Sequence, residues 1–62
     1  MSDRLLTICE VADLTRAPIN TLRYWRGIGS GPPAFKVGRR VVYRESDVRQ
    51  WLDDQYRTEH GA

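Results

Sequence analysis

Little in this 62-residue chain could serve covalent bracing or catalysis. Cysteine occurs once, at Cys9, which excludes an intrachain disulfide and any cysteine-rich zinc site. Histidine also occurs once, at His60, and reads as a solvated tail residue. No His–carboxylate–nucleophile set, no metal-ligand cluster and no phosphate-cradling glycine loop can be assembled. The chain is therefore expected to be no enzyme and to hold no metal or cofactor. No apolar run is long enough to span a membrane and no signal-peptide pattern is present, so a reducing cytoplasm is the expected setting. Repeats and low-complexity tracts are lacking. Residues 1–62 read as one domain with an ordered core at about 5–56, a size at which every large apolar residue counts.

Net charge is small as well, at +2. Its distribution says more than its total. Nine of the ten basic residues are arginine, and no acid falls between Asp13 and Glu45. Arg23, Arg26, Lys36, Arg39, Arg40 and Arg44 thus lie in or beside a segment whose local positive field the total conceals.

Within that segment, Ala17–Ile28 has the pattern of a short helix. Pro18 can open it, since proline lacks only an N–H that the first turn does not use, and Gly27 and Gly29 flank its expected end. At ~100° per residue, Ile19, Leu22, Trp25 and Ile28 share one broad side. Asn20, Arg23, Tyr24 and Gly27 take the other, with Arg26 at the border. A planar amide, guanidinium groups and a phenol suit DNA: Asn pairs with an adenine edge, Arg with guanine, and Tyr or Arg with phosphate. The same pattern would also serve as an ordinary solvated helix face.

Elsewhere the spacing predicts helix, turn, helix, hairpin, helix. Met1–Arg4 is expected to be loose, with Leu5 and Leu6 leading into a helix. Thr7 and Glu10 have capping-box spacing, which starts that helix at Ile8. Leu14–Ala17 is expected to turn into the second helix. Gly29–Pro33 cannot be helical. Ala34–Val37 and Val41–Arg44 read as two strands. A three-residue Gly38–Arg40 tip would pair Val37 with Val41 and Phe35 with Tyr43, gathering one apolar face and turning Lys36 and Val42 outward. Glu45–Asp47 starts a last helix with its own cap and acids. Val48, Trp51, Leu52 and Tyr56 are placed on its inner side, and the chain frays from Thr58. Trp25, Trp51, Phe35, Leu22, Leu52 and Ile8 are expected to make most of the core. The fold class is mainly α with a small β-hairpin, in a winged helix-turn-helix order.

Thr21-Leu22-Arg23-Tyr24-Trp25 followed by Gly27-Ile28-Gly29 resembles the second helix of MerR-type DNA-binding domains. Pro32–Arg40, Tyr43, Ser46-Asp47-Val48 and Trp51-Leu52 are similar to the wing and last helix of the excisionase-type subgroup. The resemblance runs from about Leu5 to Leu52. It implies a phage excisionase, or recombination directionality factor. Such a protein sets its second helix in a major groove and its wing in a minor groove, lines up with neighbouring copies, bends attachment-site DNA and assists an integrase in a bacterial cytoplasm. Carried onto this chain, Asn20, Thr21, Arg23, Tyr24 and Arg26 are the groove-helix candidates, and Lys36, Arg39 and Arg40 the wing candidates. Pro18 departs from the Ser common at that position, which alters the cap. The long dimerising helix and effector domain of full MerR regulators are not seen. The alternative implied is a small MerR/AlpA-like transcription regulator.

Overall fold

The computed structural model describes residues 3–60. The loose ends expected at Met1, Ser2, Gly61 and Ala62 lie outside them. In chain order the elements are β1 (Leu5–Leu6), α1 (Ile8–Thr15), α2 (Ile19–Ile28), β2 (Phe35–Val37), β3 (Arg40–Arg44) and α3 (Glu45–Glu59). The strands form an antiparallel sheet in the order β1-β3-β2. Three helices around a small wing make the winged helix-turn-helix that the sequence predicts.

The first helix starts where its cap places it. Thr7 accepts from the Glu10 amide at 3.2 Å, and the Glu10 carboxylate accepts from the Thr7 amide at 2.9 Å, which satisfies donors that the first turn leaves open. The helix runs to Thr15, so the turn is Arg16–Pro18, tighter and later than expected. Thr15 Oγ1 donates to the Val11 carbonyl at 2.7 Å and accepts from the Ala17 amide at 3.3 Å. This hydroxyl pins the turn between the two helices. Pro18 precedes α2 in extended backbone and its side chain supplies no cap.

The core is Leu6, Val11, Leu22, Tyr43 and Val48, with Ile8, Ala12, Leu14, Ala17, Trp25, Ala34, Val41 and Leu52 packed around it. Leu22 is buried as expected, whereas Phe35, expected in the core, is 40% exposed and Tyr43 is buried instead. Both tryptophans are half-buried and meet with ring centroids 5.5 Å apart, tying α2 to α3. Ile28 and Tyr56 are exposed rather than packed.

The wing register differs from the expected one. Phe35 pairs with Val42, Lys36 with Val41 and Val37 with Arg40, so the loop is the two-residue Gly38-Arg39. Gly38 has φ +62° and Arg39 does not have a positive φ, the type II′ pattern whose twist matches that of paired strands. Turn geometry here outweighs apolar pairing. A one-residue slip reverses a strand's faces. Lys36 therefore shares the inner face with Val41 and Tyr43, while Phe35, Val37 and Val42 turn outward. Phe35 and Val37 are 40% and 52% exposed. Arg40 is accordingly the first residue of β3, and Arg39 alone of the pair stands in the turn.

Asp3 and Arg4, expected to be loose, are held by hydrogen bonds to Glu10, Arg44 and Ser46. Leu5 and Leu6 pair with Arg44 and Tyr43 as β1. Asp3 caps α3 from 43 residues away: it accepts from the Ser46 amide at 3.1 Å, the Ser46 hydroxyl at 2.6 Å and Arg44 Nε at 2.9 Å. The expected cap from within Glu45–Asp47 is absent, since Arg44 stands at the N-cap without a side-chain bond. At the other end α3 continues through Thr58 to Glu59, past the expected fraying point.

Those Ser46 hydrogen bonds, with Arg44 adding to them, hold the Asp3 carboxyl below its ordinary value of 3.8. A depressed folded-state value adds stability above the unfolded value and loses it as pH falls through the folded one. Urea midpoints measured from about pH 5 down to about pH 2 should therefore decline, and Asp3→Asn should flatten that decline. The decline should not vanish, because the Thr7 amide holds Glu10 down in the same sense.

Between α2 and the wing, Gly31 has φ +73°, and a Cβ there would stand 2.9 Å from Trp25 Cε3. Gly31→Ala should cost more than ~1 kcal/mol, through both the positive φ and the displaced indole. Chemical denaturation and a shifted tryptophan emission would show it.

Candidate nucleic-acid interface

The basic residues divide into two sets. Arg4, Arg44, Arg49 and Arg57 form ion pairs with Glu10, Asp3, Glu45 and Asp53 at 2.7–2.9 Å. Arg16, Arg23, Arg26, Lys36, Arg39 and Arg40 are exposed and have no ion-pair partner among the described residues. Apart from Arg16, the second set is the cationic part of the sequence-predicted site. Cations that meet no internal acid keep their full field for an outside anion.

Helix α2 shows how local pattern aims these groups. Leu22 is buried, and Ile19, Thr21 and Trp25 are half-buried. At ~100° per residue, Asn20, Tyr24 and Gly27 point directly away from the core. Arg23 and Arg26 occupy one flank and Thr21 the other. Tyr24 is 65% exposed, so its phenol and the Asn20 amide stand free on one ridge.

The arginine flank faces the wing. A cleft of about 380 Å³ opens there, lined by Ile8 of α1, Arg23 and Arg26 of α2 and Val41 of β3. A second cleft, about 340 Å³, lies between Arg26 and the Gly29–Ala34 loop. Arg26 thus borders both. Beneath it, burial pushes the Tyr43 phenol above its ordinary value of 10.0, and the nearby Arg26 charge pulls the other way.

The structure therefore brings Asn20, Tyr24, Arg23 and Arg26 onto two adjacent faces of α2. It places Lys36 on the inner wing face beside Val41, Arg39 in the wing turn and Arg40 at the start of β3. Thr21, half-buried, is the least available of the predicted groups.

Arg16 belongs to the same unpaired set, and the sequence reading passed over it. It lies in the turn with φ +65°, the only positive φ outside glycine among the described residues. Its position between Asp13 and Glu45, inside the acid-free segment, is the signal that could have found it.

Among the described residues, no group of three or more His, Cys, Asp or Glu is placed to hold a metal. No helix among them is long and apolar enough to cross a membrane. A family model for a helix-turn-helix domain matches residues 5–56. No curated protein and no solved structure matches the chain.

Proposed function

The chain belongs to the helix-turn-helix domain family, whose members bind double-stranded DNA in a sequence-specific way, and from that premise we propose that it is an architectural factor of the excisionase type. In this reading α2 enters a major groove and the wing an adjacent minor groove. Several copies load side by side, bend the DNA and direct a partner integrase toward excision. The carrying observation is the sorting of charge, with unpaired cations on the turn, α2 and the tip half of the wing, and paired ones beside β1, at the far end of β3 and on α3.

The roles follow from chemistry and position. Asn20 and Tyr24, on the outward ridge, meet base edges and phosphate. Arg23 and Arg26 meet the duplex from the flank. Arg39, in the wing turn, suits a narrow minor groove with its enhanced negative potential, and Arg40 and Lys36 support it from the strands. Thr21 adds at most a flanking contact.

Side-by-side loading has support of its own. The outer sheet face exposes Leu5, Phe35 and Val37 next to the unpaired Arg40. The exposed side of α3 is polar and acidic, with Asp53, Asp54 and Glu59, and its one exposed large apolar residue, Tyr56, is stacked on His60 with centroids 4.2 Å apart. That side offers no seam for a symmetric coiled coil. Arg40 on the one face and Asp54 and Glu59 on the other are opposite in charge, and a contact between them would be heterologous, extending along DNA rather than closing.

The test is a duplex selected from a random pool with the wild-type chain. The expected results are a monomer by sedimentation without DNA, cooperative loading on a multi-site fragment, and position-dependent mobility in circularly permuted fragments. A stable DNA-free dimer that fills single palindromic sites independently, without bending, would instead establish a transcription regulator.

A further inference from the structure

The geometry points to a division of labour within α2: Arg23 and Arg26 grip the sugar–phosphate strand between helix and wing, and Asn20 on the outward ridge carries base discrimination. This rests on the DNA-binding reading above. It goes further by removing Arg23 from the base-reading set, where the spacing of α2 had put it beside Asn20.

Three observations lead here. First, Arg23 and Arg26 are a helical turn apart and line one cleft with Val41 of the wing, turned ~60° and ~120° around the helix from Asn20. A helix seated in a major groove turns its outermost ridge to the base edges and its flanks to the two backbones. Second, the cleft these arginines line is built for a backbone. Its floor is apolar, from Ile8 and Val41, and can pack against deoxyribose. Its wall is cationic, and Lys36 shares the sheet face with Val41 as its cross-strand partner. Third, Arg26 also borders the second cleft, against the Gly29–Ala34 loop. A backbone lying along this flank would meet Arg26 from either cleft. No acid lines either cleft.

Phosphate contacts and base contacts leave different signatures. Losing a phosphate contact weakens binding to all sequences alike and lowers the salt slope by about 1, whereas losing a base pairing relaxes discrimination at one position. Lysine can replace arginine at a phosphate as a point charge but not at a bidentate base edge.

The experiment measures affinity over a range of salt for a duplex selected from a random pool with the wild-type chain, and for an unselected duplex of equal length. Arg23→Ala and Arg26→Ala should each lower both affinities by the same factor and reduce the log–log salt slope by about 1. Arg23→Lys should restore both. Asn20→Ala should leave the slope intact and cut the selected-to-unselected ratio by on the order of tenfold. If Arg23→Ala collapses that ratio while the slope stays, and Arg23→Lys does not rescue it, Arg23 reads bases and the division is overturned. Equal, salt-insensitive binding of both duplexes by the wild type is a different failure, and it would remove the DNA-binding reading itself. Circular dichroism of each variant, expected to match wild type because these side chains are exposed, separates both from misfolding.

Discussion

Leu22→Ala should unfold much of the population at moderate temperature. Leu22 is 1% exposed and sits on the core side of α2, in a buried cluster of only five residues with Leu6, Val11, Tyr43 and Val48. Truncating a buried leucine costs about 2–5 kcal/mol, because transfer energy is lost and a cavity remains. A domain of this length has a net stability of roughly 3–9 kcal/mol. The loss is therefore a large fraction of the whole, and the melting temperature should fall by on the order of 10–40 °C. Thermal denaturation followed by circular dichroism measures this. Asn20→Ala, two residues earlier on the exposed ridge, is the matched control and should melt like the wild type. A Leu22→Ala drop of only a degree or two would mean that α2 is not packed as described.

Replacing Arg39 and Arg40 together by Ala should have the larger effect on DNA. Both are exposed and lack an ion-pair partner among the described residues, so removing them breaks no internal pair and should leave the melting temperature unchanged. Gly38, which the turn needs, stays in place. If both side chains meet phosphates or a narrow minor groove, the log–log salt slope should fall by roughly 1.8, at about 0.9 per contact. Affinity at low salt should drop on the order of tenfold to a hundredfold. Mobility shifts at a series of salt concentrations would measure both quantities. An unchanged slope and affinity would show that the wing does not touch DNA. Loss through Arg39→Ala alone would assign the contact to the turn, and loss through Arg40→Ala alone to the first residue of β3.

The wing also shows where sequence reading went astray. Pairing Val37 with Val41 and Phe35 with Tyr43 followed from the preference for a single apolar face. That preference works where one face is buried and the other wet. Here the inner face is already filled from β3 by Tyr43 and Val41, and β2 is an edge strand with all three residues exposed. With little burial at stake on β2, the two-residue turn around Gly38 decided the register, and Phe35 and Val37 moved outward. The two wing arginines moved little: Arg39 stays in the turn, and Arg40 takes the adjoining strand position.

What the chain determines by itself is local. The start of α1 at Ile8 comes from a hydrogen-bonded exchange three residues long. The extent of α2 and its buried Leu22 come from a 3.6-residue period. The break at Gly29–Pro33 comes from residues that cannot be helical, and the concentration of cations at α2 and the wing from the missing acids between Asp13 and Glu45. Each of these is written within a few positions of where it acts. Tertiary structure decided the rest, because it depends on residues distant in sequence. Asp3 caps α3 only because β1 pairs with β3 and delivers its carboxylate there. The two-residue β1 is too short to show alternation, and it exists only where Arg44 and Tyr43 receive it. Which arginines remain free depends on where Glu10, Asp3, Glu45 and Asp53 come to lie. Which flank of α2 lies toward the wing is set by how Leu22 and Trp25 seat the helix on the core, since a helical period defines faces but not their neighbours.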